Sequence, residues 1–242
     1  MMNKKKLLSL SIVVIMIAIL SFSTLAWFTD EDSATNDFQI GGAGTGDSTD
    51  IFDIEVKENI DGEDEPVDGA EFKDILPGDN YKKAAFITNN GAYEQYVRVT
   101  MTITDWTLIN GGITGSNGVV TIKMDKNFKD NWQIVGQVSV KNDGTLTVNS
   151  NGAYDETTDT LTVVMYLKHK LQPNETVYIM DSVSVSTKAT QEDFKAEGFA
   201  DGFQIQIDAD AAQTENILDE YDSNPDNEWR NAMNTFKALD AE

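Results

Sequence analysis

The chain has 242 residues, with 41 acidic against 18 basic side chains, one histidine and no cysteine, for a formal net charge of −23. A sequence pI near 4.2 argues against nucleic acid or an anionic lipid surface as partner, because phosphate contacts need a surplus of Lys and Arg. Zero Cys excludes thiol catalysis, Cys-ligated zinc, iron–sulfur clusters and disulfide staples, and the single His169 excludes a His-rich metal site. The length and the 40% apolar content suffice for one packed core, so a single domain with an appendage is expected.

In chain order, Lys4, Lys5 and Lys6 precede an apolar run from Leu7 to Leu20, and Thr24-Leu25-Ala26 follows. Charged, apolar and then small residues are the order of an export signal, so residues 1–26 are expected to be cut off between Ala26 and Trp27. An uncleaved anchor running on to Phe28 is the rival, being nearly long enough to cross about 30 Å of hydrocarbon. Ser9, Ser11, Ser21, Ser23 and Thr24 dilute that run and favour cleavage. The three lysines go with the signal, leaving the mature chain more acidic still. An exported chain without Cys fits a Gram-positive surface protein better than a secreted eukaryotic domain.

Residues 27–50 form an N-terminal segment. Trp27 and Phe28 lead into Asp30-Glu31-Asp32, Phe38 and Ile40 follow, and the Gly-, Ser- and Thr-rich stretch from Gly41 to Asp50 reads as a hinge. Residues 51–242 read as a β-sandwich domain. Phe52, Ile54 and Val56 alternate with charged residues, and period two means one buried and one wet face. Asp61 to Asp68 is an acidic loop, Leu76-Pro77-Gly78-Asp79 a turn, Tyr81 to Thr88 a strand, and Asn89-Asn90-Gly91 a second turn. From Tyr96 to Thr104, Val97, Val99, Met101 and Ile103 face one way, and Tyr96, Arg98, Thr100 and Thr102 the other. Further strands are expected at Val119 to Met124, Gln133 to Val140, Thr145 to Val148, Leu161 to Leu167, Val177 to Val185 and Phe203 to Ala209. Many short strands between turn signals make an all-β, antiparallel sandwich or barrel.

One segment has helical period. Trp229, Ala232, Met233, Phe236 and Leu239 fall on one stripe of a helix near 225–239, with Asn224 as cap and Pro225 in the first turn. Its expected place is over one open end of the sandwich, with docking onto another subunit or the cell wall as the alternative. A shorter helix is expected around Gln191 to Glu197.

Signatures of chemistry are scarce. HExxH, GxSxG, the Walker loop and GxGxxG are all missing, and a Ser-His-Asp device would have to use His169, which reads as a solvated residue at a strand end. No catalytic, cofactor or resident metal residues are assigned. Calcium is the one ion the composition invites, weakly, at the oxygen-rich runs Asp30 to Asp32, Asp61 to Asp68 and Asp125 to Asp130. None of these fits an EF-hand loop, and the plain alternative is solvated acidic loops.

The block Thr24-Leu25-Ala26-Trp27-Phe28-Thr29-Asp30, with Asn36-Asp37-Phe38 and Ile40-Gly41 behind it, resembles the N-terminal pattern of the TasA/camelysin family. Leu76-Pro77-Gly78-Asp79, Asn89-Asn90-Gly91, Tyr96-Val97-Arg98-Val99 and the strand running into Ala209 to Gln213 extend the resemblance along the chain. The resemblance implies export through a SipW-type signal peptidase, a jelly-roll-like sandwich, and assembly into fibres of an extracellular biofilm matrix. It also implies that the N-terminal segment acts as a donor strand, completing the sheet of the next copy. Trp27, Phe28, Phe38 and Ile40 are then the subunit-interface candidates. The alternative is that these four residues pack on their own domain as an ordinary first strand. Members of the camelysin branch are classed as metallopeptidases, an activity that one histidine without a zinc motif does not support. The resulting expectation is a secreted, non-enzymatic homopolymer at the cell surface or in the matrix, in contact with itself and with matrix or cell-wall components. Its rivals are a monomeric surface adhesin, or calcium-dependent binding module, and a camelysin-like secreted protease.

Overall fold

The alternating stretches build two antiparallel sheets. The computed structural model describes residues 29–33, 53–69, 76–106, 119–148, 154–190, 203–214 and 227–241. The signal segment, Trp27, Phe28, Phe38, Ile40, the stretch from Gly41 to Asp50 and the expected helix at Gln191 to Glu197 lie outside them. The first sheet is ordered β1 (Thr29–Ser33), β13 (Ile205–Gln213), β4 (Gln95–Ile103), β10 (Thr160–Leu167) and β6 (Trp132–Val135), with β9 (Tyr154–Asp155) also paired to β10. In the second, β3 (Asn80–Asn89) has β2 (Ile54–Ile60) on one side. On the other side it has β11 (Thr176–Tyr178) and β12 (Met180–Val185) in succession, and β5 (Val120–Met124) lies beyond β12. A hairpin of β7 (Val138–Val140) and β8 (Leu146–Val148) touches β5 through the Lys123–Thr145 bridge.

The core lies between the sheets. Val97, Val99, Met101 and Ile103 of β4 and Leu161, Val163, Met165 and Leu167 of β10 are buried in one cluster with Ile54, Val56, Ala85, Ile87, Ile122 and Val183 of the opposing sheet. Each such side chain contributes about 1.5–3 kcal/mol when fully withdrawn from water. The chain crosses from β5 to β6 through α1 (Phe128–Asn131), a single helical turn in the stretch read from sequence as an oxygen-rich loop. Phe128 and Trp132 are both buried in the crossing, and Trp132 Nε1 donates to the Tyr178 carbonyl at 2.9 Å.

Three expectations are corrected. The terminal helix, α2 (Glu228–Leu239), does not close an open end of the sandwich. It lies on the outer face of the first sheet, where Ala232 and Phe236 pack with Tyr96, Tyr166 and Ala212. The face of β4 read as wet is therefore covered at Tyr96, which is 2% exposed. The described helix runs from Glu228 with Asn227 in the cap position; the cap read at Asn224 and Pro225 lies outside the described residues. Finally, Gln133 to Val140 is two strands in different sheets, because Gly136 at φ 113° turns the chain where a side-chain-bearing residue would be strained. Among the described residues no helix is long and apolar enough to cross a membrane.

Candidate functional site: the β13 edge and its first strand

The edge of the first sheet is closed by a strand of unusual composition. β1 reads Thr-Asp-Glu-Asp-Ser, and the three acids at its centre are residue types with little intrinsic preference for strands. Its backbone nevertheless lies antiparallel on β13, in the register Thr29–Ala212, Asp30–Ala211, Glu31–Asp210, Asp32–Ala209 and Ser33–Asp208. Asp30 to Asp32, one of the oxygen-rich runs of the sequence, is thus part of a strand: backbone pairing with a distant partner overrides local propensity. Among the described residues β1 pairs with no other strand, so β13 alone holds it in the sheet.

β13 is itself fixed on every other side. Its register with β4 is unbroken over nine pairs, from Ile205–Ile103 to Gln213–Gln95. Ile207, Ala209 and Ala211 are buried between the sheets, and Ala212 is buried under α2. Arg98 of β4 staples strand and helix together: Nε donates to Asp210 and Nη1 to Asp240, both at 2.6 Å, and the guanidinium lies 4.7 Å from the centre of the Phe236 ring. Burial opposes the charge on Arg98, but the two carboxylates outweigh it and hold the guanidinium more strongly protonated than usual. At the far end of β13, Glu94 accepts from Lys170 at 2.7 Å, Gln172 at 3.2 Å and Thr214 at 3.2 Å. The Lys170 hydrogen bond is the main reason that the Glu94 carboxyl sits below the ordinary glutamate range.

The register places Glu31 across from Asp210, the carboxylate that Arg98 holds, and Ser33 across from Asp208, which takes a bond from Gln206 at 3.0 Å.

The four apolar interface candidates, Trp27, Phe28, Phe38 and Ile40, and the cleavage pair Ala26 and Trp27 lie outside the described residues. They flank β1 in sequence. The residues that form the ladder are the polar ones between them, Thr29 to Ser33, which hydrophobic patterning could not single out. Sequence reading also missed a polar cluster behind the second turn. Buried Asn89 donates to the Tyr93 and Leu171 carbonyls, both at 2.9 Å, and accepts from Gly91 N at 2.8 Å and Gln95 Nε2 at 2.9 Å.

His169 follows β10 in a shallow hollow of about 570 Å³ that Glu175 and Glu228 also line, and its Nε2 lies 2.9 Å from Glu175. The second Glu175 oxygen accepts from Gln172 N at 2.8 Å. The remaining acidic runs are engaged or dispersed: Asp125 accepts from Asn127 N at 2.8 Å ahead of α1, and Asp61 to Asp68 is an exposed loop. Among the described residues no three His, Asp or Glu side chains gather to hold a metal ion.

No protein-family model matches the chain, and no curated protein matches it. Fold and edge define the class without such help: an all-β sandwich whose first strand sits on one sheet edge at the end of a long connection.

Proposed function

We propose that the protein is a secreted, non-enzymatic structural component of an extracellular matrix that forms fibres by exchanging β1 between copies. One observation carries this reading. Among the described residues β1 is a five-residue edge strand whose one ladder partner is β13, although it also lies against β2 of the opposing sheet, and residues 34–53 separate it from β2 in sequence. That connection extends to roughly 70 Å at most, enough to deliver β1 to the β13 edge of an adjoining copy. The same backbone hydrogen bonds form within a copy or between copies, so exchange costs little in enthalpy. Head-to-tail exchange that does not close into a ring grows filaments.

The resemblance of the N-terminal block to the TasA/camelysin pattern supports the same reading, with export through a SipW-type peptidase and a biofilm matrix as the setting. Calcium, where it acts, would screen acidic surface rather than occupy a built site. The rival, a monomeric surface module, draws on β1 seated on its own β13. Electron microscopy of the purified protein, with and without residues 27–40, decides between them. Filaments that disappear with the segment support exchange, and a strictly monomeric parent protein across salt and pH rejects it.

A further inference from the structure

The outer face of the second sheet carries a feature at odds with the acidic whole. A groove of about 800 Å³ lies between that face, the turn joining β7 to β8, and the approach to α1. Lys82 of β3, Lys123 of β5, Lys126, Lys129 of α1 and Lys141 of the hairpin turn line it. Five of the chain's 18 Lys and Arg thus surround one concavity, and all five are exposed. Lys82 and Lys123 flank Ser182 from the two neighbouring strands, which places their charges on one row. Among the described residues none of the five forms an ion pair; Lys129 donates to Asn142 at 3.0 Å. Of the acids in the groove, Asp125 accepts from Asn127 N at 2.8 Å, Asp181 from Ser182 Oγ at 2.9 Å and Asp143 from Thr145 N at 3.0 Å, with Lys123 near enough to Asp143 to help hold its carboxyl low; five lysines still face three carboxylates. The groove is a local cationic site on a strongly anionic molecule.

The complementary surface is on the same molecule. The tip after β2 presents Asp61, Glu63, Asp64, Glu65 and Asp68, all exposed and, among the described residues, without an ion pair. The tip is shaped rather than loose. Glu63 N donates to the Ile60 carbonyl at 3.2 Å, and Val67 exchanges backbone bonds of 2.8 and 3.0 Å with Glu58. It starts two residues after Asn59, which lines the groove, so each acidic tip stands at the rim of its own basic groove. Two copies that meet face to face about a two-fold axis can therefore place each tip in the other's groove, an isologous contact that closes.

We propose that the groove is a self-association site whose ligand is the acidic tip of a second copy. The contact differs from strand exchange in place and symmetry: exchange extends a filament, and this contact pairs molecules side by side. Neither requires the other. It is electrostatic and weakens as salt rises.

The test mixes equal amounts of protein grown on ¹⁴N and ¹⁵N and joins touching Lys and Asp/Glu side chains with a zero-length carbodiimide. The expected product links the groove lysines, above all Lys126, Lys129 and Lys141, to residues 61–68, with mixed-label pairs as abundant as same-label pairs. Reversing the groove (K126E, K129E, K141E) removes these links, reversing the tip (E63K, D64K, E65K) removes them too, and combining both reversals restores mixed-label links. Same-label pairs alone mean that each tip closes its own groove, and they overturn the proposal. So does polygalacturonate binding to the groove lysines in a protein that forms no tip link, because the partner is then an acidic glycan. The parent measurement stands even if a reversed variant fails to fold. Filaments that persist after groove reversal leave strand exchange intact, and mixed-label links that persist after removal of β1 leave the groove contact intact, so the two readings fail separately.

Discussion

Glu58 and Lys83 form an ion pair inside the sandwich, where Glu58 is 1% exposed and its second oxygen has no partner among the described residues. Burial pushes the Glu58 carboxyl above the ordinary glutamate range, and Lys83 only partly offsets this. Removing one partner strands a charge in the interior, so Lys83→Met should cost about 3–5 kcal/mol in urea unfolding. Glu58→Leu combined with Lys83→Met should recover most of that loss. A carboxyl raised on folding contributes its stability below its unfolded value and loses it as pH rises through the folded one, so the double variant should gain on the parent toward neutral pH. Glu94 has the opposite sign. Held low by Lys170, it stabilises above the ordinary glutamate range, and that contribution is lost as pH falls through its depressed value. The stability gap between the parent and Glu94→Gln should be widest above about pH 5 and should close on acidification. Equal gaps at pH 3 and pH 7 would show that Glu94 holds the end of β13 by shape alone.

Among elements, α2 has the clearest energetic role, since it covers the outer face of the first sheet through Phe236, Ala232 and the Arg98 staple. Phe236→Ala should destabilise by about 3–5 kcal/mol and loosen the cluster on which Trp229 packs, read as a red shift in tryptophan fluorescence together with lower protection of the β4 amides. The helix itself was legible, because a stripe at 229, 232, 233, 236 and 239 has only one regular solution. Its seat was not. Tyr96, Val164, Tyr166 and Ala212 become an apolar patch only when β4, β10 and β13 lie side by side, which is a fact of topology rather than period. The inner faces of β4 and β10 were legible for the same reason as the stripe: four apolar residues in strict alternation fix which side is buried. Between Gln133 and Val140 the pattern ran on across a break, because nothing in alternation reveals that Gly136 adopts positive φ. β1 was the least legible element. Its five polar residues belong to a strand only because β13 supplies the partner backbone, and the apolar residues that drew attention lie to either side.

At the scale of the molecule, the acidic surplus governs when copies meet. Chains of the same strong sign repel, so filament growth should be promoted by salt, by calcium and by acidification. Light scattering followed across pH and CaCl₂ checks this, and flat traces in both titrations would count against charge as the brake. Side-by-side pairing through the lysine groove should respond to salt in the opposite direction, so filaments formed at high salt should be single and those formed at low salt bundled. The exchange itself has a direct chemical test, because the chain has no Cys of its own. Ser33 and Asp208 are register partners, and opposed residues in an antiparallel pair lie within disulfide reach. A Ser33→Cys, Asp208→Cys variant oxidised under assembling conditions and run on a denaturing, non-reducing gel should give a ladder of covalent multimers. A single band of internally bridged monomer under those conditions would contradict strand exchange.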